Sequence, residues 1–417
     1  MTEAISHARH ASGLRVVTES LPQLRSVTLG AWVGTGARDE TDEQAGSSHF
    51  LEHLLFKGTA KRGAREIAET IEAVGGEMNA FTSHEQTVFY IRVPSEQLEL
   101  ATDVLCDVLW NPAFREDEVE TERQVILEEI AMRDDTPDDL VFDLFGTAMF
   151  PEHVLGREVI GYASTVSAMT PAAIAGYHSA HYAPGNVVFA AAGDLDHASW
   201  SAMVEQHSPK LASNRPARVE IRPDSAPTPV VVVERDTEQA HLVLGTRAFR
   251  QTDPDRYAIT VMNQVLGGGM ASRLFQAVRE ERGLAYSVYS FRGAYDDAGF
   301  LGIYAGTAVE RVHETLDVID AEIQRLVSEG TVTQRELDSA KGHLKGSLLM
   351  SLETSSSRMR RLGRGELVEG EIPSLDELAA RVDAVTLEDV ARVVDRVLRD
   401  QPRALAVVGP FAASDFS

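Results

Sequence analysis

Apolar positions along this chain follow two periods, and the alternation between them lays out its elements. Short apolar or alternating runs at Leu14 to Val17, Ser26 to Val33, Thr87 to Val93 and Asn186 to Ala192 predict β-strands. Spacings of three and four predict helices over Ala64 to Val74, through Ile67, Ile71 and Val74, and over Leu98 to Leu109 and Phe114 to Met132. Gly75-Gly76 and Gly193 close two of these elements, and Thr170-Pro171 opens a further helix. Thr136 to Gly161 is mixed, with Pro137, Pro151 and a Gly156-Arg157 turn, and His153 within it reads as a polar loop residue. Ser208 to Pro229 carries prolines at 209, 216, 223, 227 and 229, which predicts an extended linker.

Beyond the linker the same order returns. Pro229 to Val233 and His241 to Gly245 read as strands and Tyr257 to Leu266 as an apolar helix. A helix ending at Gly283, strands Ala285 to Arg292 and Gly299 to Ala305, helices Val309 to Val327 and Thr333 to Leu349, and a closing strand Ala404 to Val408 follow. The pattern predicts a duplicated α+β domain, with a first half at 1–215, a linker at 216–229 and a second half at 230–417.

Chemistry concentrates in Ser47 to Gly58, a short apolar helix with two histidines and a glutamate. His49 and His53 are one helical turn apart, so they project side by side and are able to hold one metal ion. Glu52 flanks the pair, and in H-x-x-E-H a glutamate of this kind is free to take a proton from an activated water. Ser47 and Ser48 are expected as N-caps and Gly58 as the stop. A buried helix with incidental histidines would read the same way. In the helix Phe114 to Met132, Glu122 and Glu129 are seven apart, about 10.5 Å along one face. Helix glutamates are ordinarily solvated. Glu129 gains weight because two histidines and one carboxylate leave a fourth position open for water, whereas Glu128 points about 100° away. Asn79-Ala80-Phe81-Thr82 fits either an exposed sheet edge able to pair with an extended peptide or an ordinary hairpin strand.

Composition narrows the classes. At 417 residues and 43% hydrophobic, the chain is long enough for two cores. Basic residues number 39 against 64 acidic, a net charge of −25, which disfavours nucleic-acid binding. It has no apolar run of about eighteen residues that would span a membrane, and its first twelve residues lack a signal-peptide core, so a cytoplasmic location is expected. The single cysteine, Cys106, falls in an apolar helix and is expected as a buried thiol. Leu266-Gly267-Gly268-Gly269-Met270 lacks phosphate-loop spacing and reads as a mobile or closely approached backbone. Arg279 and Tyr286 beyond it are, by type, surface or core residues.

Taken together, these motifs resemble the pitrilysin family of inverted-motif zinc peptidases, most closely its processing-peptidase branch, over essentially the whole chain. In that family a glutamate 76 positions after the second histidine completes the zinc site, and here that position is Glu129. The resemblance implies that Glu122 supports the site and that Asn79, Ala80, Phe81 and Thr82 hold substrate as an added strand. It also implies that Arg279 and Tyr286 grip the peptide. It further implies one Zn²⁺ per chain held by His49, His53 and Glu129, Glu52 as base, two halves around a chamber, and a homodimer acting on unfolded peptide. A catalytically silent scaffold subunit is the rival, weakened by the retention of every ligand and of the base.

Overall fold

The computed structural model describes residues 5–211, 213, 218, 221, 223–329 and 332–416. Of the proline-rich linker 216–229, residues 216, 217, 219, 220 and 222 lie outside the described residues.

Two compact units form, and neither is one continuous stretch of chain. Unit 1 takes 1–130, 158–219 and 350–374, and unit 2 takes 131–157, 220–349 and 375–417. The linear halves therefore exchange one helical segment each.

Unit 1 is built on a six-stranded sheet of β1 (Ile5–Arg9), β2 (Arg15–Ser20), β3 (Ser26–Val33), β4 (Glu77–Thr82), β5 (Thr87–Pro94) and β6 (Val187–Gly193). Their spatial order is β1-β2-β6-β3-β5-β4, with β2 and β6 parallel and the other pairs antiparallel. Strand β3 shows why its sequence is apolar almost throughout. Val27, Leu29, Ala31 and Val33 face a core shared with α1 (Ser47–Leu54), α2 (Ala64–Glu72) and α3 (Leu98–Trp110). Thr28, Gly30 and Trp32 face the exchanged helix Ser355–Arg364 instead. A strand covered on both faces loses the alternation that marks a half-exposed one.

Unit 2 repeats this plan with β7 (Val230–Glu234), β8 (Gln239–Ala248), β9 (Ala285–Ala294), β10 (Gly299–Ala308) and β11 (Arg403–Gly409), ordered β7-β11-β8-β10-β9. Numbered from its first strand, that order is the same as β2-β6-β3-β5-β4, so the duplication reaches the level of strand order and β1 is an addition to the first copy. Leu242 and Leu244 pack toward the helices Arg256–Gly267 and Leu387–Val397, and Val243 packs toward the other face.

That other face is covered by a helix the sequence pattern did not predict. The mixed stretch Thr136 to Gly161 contains α5, Pro137–Met149, whose Val141, Phe145, Ala148 and Met149 pack on Val243, Ala406 and Val408. Its start signals are present in Thr136, Pro137 and the first-turn acids Asp138 and Asp139. Gly146 and Pro151 weakened the pattern. The matching helix in unit 1, Ser355–Arg364, was silent for a different reason, because only Met359 and Leu362 are large and apolar. It seats through close approach: a Cβ at Gly363 would lie 2.1 Å from Trp32 Nε1, and that nitrogen points at Met359 Sδ, 3.3 Å away. Arg358 pairs with the buried Glu19 on β2, fixing the helix along the sheet.

Two glycine substitutions should therefore move stability in opposite directions. Gly363→Val forces Trp32 from its position and should cost about 1–3 kcal/mol. Gly342→Ala, inside the helix Gln334–Ser351 where a Cβ meets open space, should gain about 1 kcal/mol. Denaturant titrations of both variants give the sign and the size.

Candidate active site

Helix α1 has eight residues, too few to be stable alone in water, so tertiary contacts must hold it. Phe50, Leu51, Leu54 and the following Leu55 are buried in the unit 1 core. Its start corrects the expected caps. Ser47 and Ser48 lie inside the helix, and the N-cap is Gly46, at φ 95°. The free N–H groups are met from outside, where the buried Glu40 carboxylate accepts from Gly46 N at 2.8 Å and Ser48 N at 2.7 Å. An acid at a helix N-terminus also complements the dipole. Ser48 Oγ instead meets Tyr177 Oη at 2.9 Å.

With α1 fixed, His49 and His53 meet edge to face with ring centroids 4.8 Å apart. The helix α4 (Glu116–Asp134) brings Glu129 to both, its Oε2 lying 3.7 Å from His49 Nε2 and 3.6 Å from His53 Nε2. One donor atom from each of the three residues lies within 4.8 Å of the others. A tetrahedral zinc with ligands at about 2.1 Å sets donors about 3.4 Å apart, so the spacing fits. Among the described residues no other group of histidine, cysteine and carboxylate side chains meets this condition. Glu128 is exposed and is not part of that group.

Two turns earlier on α4, Glu122 is buried and joins the site from behind. Its Oε2 accepts from His53 Nδ1 at 3.1 Å, which places the proton on Nδ1 and leaves the Nε2 lone pair toward Glu129. Its Oε1 meets Lys57 Nζ at 2.8 Å. Lys57, just past the end of α1, escaped the sequence reading, and so did Glu40. Neither sits at a metal-ligand spacing, and only the fold puts them in place.

Charge is tuned around the histidines. Burial, with a smaller push from His53, lowers His49 to about 4, so its imidazole is neutral at neutral pH. Burial raises Glu52, opposed by hydrogen bonds from the side chain and backbone of Thr82. Thr82 is the last residue of β4, and β4 is the end strand of its sheet. Asn79, Ala80, Phe81 and Thr82 thus occupy a true edge, and that edge touches Glu52.

Arg279 and Tyr286 lie in unit 2, at either side of the turn that leads from the π-helical segment Phe275–Glu280 into β9. The Arg279 guanidinium is held between two rings, 4.8 Å from the centroid of Phe275 and 4.7 Å from that of Tyr286. Tyr286 is 80% exposed. Both line a cavity of about 440 Å³ together with Gly267, Gly268, Gly269 and Met270. The glycine run is therefore part of the wall of a cavity. Cys106 is buried, and burial pushes its thiol up, as expected of a structural residue.

Comparison with known proteins adds a family to this geometry. Residues 15–162 match the domain described as insulinase (peptidase family M16), and residues 168–344 match the peptidase M16 inactive domain. The chain is 45% identical over 405 residues to an uncharacterized zinc protease of Streptomyces coelicolor, across 95% of this chain and 88% of that protein. An uncharacterized zinc protease of Bacillus subtilis is 40% identical over 405 residues, covering 96% and 97%. Among solved structures, a protease from Helicobacter pylori matches with a TM-score of 0.89 at 23% identity, covering 98% of this chain and all of that one, which speaks to fold alone. A peptidase M16 inactive domain from Pseudomonas fluorescens matches at 0.90 and 25%, covering 98% and 99%. The chain belongs to the insulinase family of metallopeptidases, peptidase family M16.

Proposed function

We propose that the chain is a zinc endopeptidase that binds unfolded peptide, including presequence-like segments, as a strand added to β4. The observation that carries this reading is the convergence of His49, His53 and Glu129 donors within 4.8 Å beside a fourth group, Glu52, that is free to act as a base. Zinc, when bound, polarises water and the scissile carbonyl. Glu52 accepts a proton from the attacking water as its oxygen bonds to the carbonyl carbon, and delivers a proton to the amide nitrogen as the C–N bond breaks. Glu122 holds His53 in the tautomer that presents Nε2. Contact between Thr82 and Glu52 ties the strand that would bind peptide to the residue that would move the proton. Arg279 and Tyr286 orient the peptide or stabilise charge on its carbonyl oxygen. A homodimer in the cytoplasm completes the proposal, and sedimentation of the purified chain tests the oligomeric state.

A silent scaffold subunit would carry no turnover whatever its metal content. Purified protein should hold about one zinc per chain, and His49→Ala, His53→Ala and Glu129→Gln should each release it. Glu52→Gln should keep zinc and lose turnover of an extended peptide by about 10² or more. Metal analysis and peptide cleavage on the same preparations decide, and near-normal turnover in Glu52→Gln would refute the mechanism.

Supporting residues should behave differently from ligands. Glu122→Gln should weaken zinc affinity by about 10- to 100-fold without abolishing it, measured by competition with a chelating dye.

The depressed His49 also sets a pH dependence for the metal-free protein. Below its ordinary value of 6.5 the unfolded chain takes up a proton that the folded chain refuses until about 4. Stability should therefore be intact above 6.5 and fall as the pH drops through that window. Melting curves of the chelated protein should show the loss, and His49→Gln should remove its share of it.

A further inference from the structure

Arg360 sets a cation against the edge strand, and nothing in the mechanism above uses it. It is an exposed residue of the exchanged helix Ser355–Arg364. Its guanidinium lies 5.7 Å from the ring centroid of Phe81 on β4 and 5.1 Å from that of Tyr90 on β5, and it donates to Tyr90 Oη at 3.0 Å. Phe81 meets the buried Trp32 edge-on at 6.0 Å, so the ring beneath the guanidinium is anchored to the core.

Register decides what such a cation would meet. Asn79 pairs with Tyr90 and Phe81 with Val88, which puts Asn79, Phe81 and Tyr90 on the face covered by the exchanged helix. Ala80 and Thr82 point to the opposite face, where Thr82 meets Glu52. A peptide added along β4 must alternate its side chains between the same two faces. Residues on one face are presented on the side of Thr82 and Glu52, and of those on the other face the one beside Phe81 comes nearest Arg360, its same-face neighbours lying about 6.8 Å away along the strand. On β4 and β5 the charged residues of that face are Glu77 and Arg92, which stand opposite each other in register, and further along the sheet Glu19 pairs with Arg358. Arg364, one turn further on, pairs with Glu369 at 3.4 Å.

We propose that Arg360 is a specificity-determining residue that selects a carboxylate side chain at one position of the bound strand, the one beside Phe81 on the face away from Glu52. A guanidinium stacked on rings keeps in-plane N–H donors for a carboxylate. On a chain of net charge −25 an acidic peptide is otherwise repelled, so one local cation is enough to fix where an acidic residue is accepted. The inference rests on β4 being the peptide-binding edge.

The test uses the full chain carrying Glu52→Gln, which binds peptide without cutting it, and a fluorescein-labelled extended peptide of neutral sequence. Each position is replaced in turn by Glu, Gln or Lys, and affinity is read by anisotropy. Glu should bind up to about fivefold tighter than Lys at one position of the peptide, with little difference at its neighbours. Arg360→Gln should flatten that pattern, Arg360→Lys should retain part of it, and Arg360→Glu should invert it at the same position. Circular dichroism and melting of the three variants establish that each is folded. A pattern unchanged in Arg360→Glu, or an acidic preference spread evenly over all positions, overturns the assignment. If peptides bind with the expected pattern yet the unsubstituted chain cuts none of them, the peptidase reading falls and the Arg360 site stands. If they are cut with no dependence on Arg360, only this inference falls, and if none binds, the edge-strand reading falls with it.

Discussion

The Glu122 carboxylate is the contact on which the site depends. It is almost fully buried, it comes from α4, and it reaches back to α1 with one oxygen on His53 Nδ1 and the other on Lys57 Nζ. A carboxylate out of water is costly unless both oxygens are met, and removing one partner of such a buried group typically costs about 3–5 kcal/mol. Geometry follows from that requirement. Because Glu122 must meet His53, the two helices are locked in one register, and Glu129, two turns along the same face, then has to arrive at the two Nε2 atoms.

Titration in the site runs in the direction that a metal and a base require. Burial works against the charged form of whichever group it surrounds, so it keeps His49 neutral and raises Glu52. A neutral imidazole is a ligand, and a carboxylate with a raised value is a better acceptor for a proton that it must later give back. Thr82 opposes the shift on Glu52 by hydrogen bonding it, so the end of the edge strand is part of what tunes the base.

Duplication by itself would leave each sheet with one face bare. The sheets are covered on their second faces by helices taken from the other stretch of chain, α5 on unit 2 and Ser355–Arg364 on unit 1. Trp32, Met359 and Gly363 interlock where that helix meets β3, and Arg358 adds an ion pair to Glu19. Residues more than three hundred positions after the histidines thereby take part in building the unit that carries them.

By itself the sequence determined the elements with strong periods and the chemistry with fixed spacing. Strand β3, the helix α4, the repeat across the two halves, the pairing of His49 with His53 and the shared face of Glu122 and Glu129 follow from local pattern, because a helix of known pitch dictates which residues share a face, whereas Glu129 joined the histidines only through the family resemblance. The tertiary structure decided whatever depends on partners distant in the chain. Glu40 caps α1 in place of Ser47 and Ser48 because a buried carboxylate across the loop satisfies two backbone donors at once. Helix α5 and the helix Ser355–Arg364 were hard to read locally, the first because Gly146 and Pro151 interrupt its pattern and the second because it has only two large apolar residues, and each is held by the sheet it covers. Whether Asn79 to Thr82 was an exposed sheet edge or an ordinary hairpin strand could not be decided from alternation, since both share the same period of two. Sheet order shows both at once, since β4 is the hairpin partner of β5 and, among the described residues, has no strand on its other side, and an edge exists only relative to the strands that are not there to pair with it.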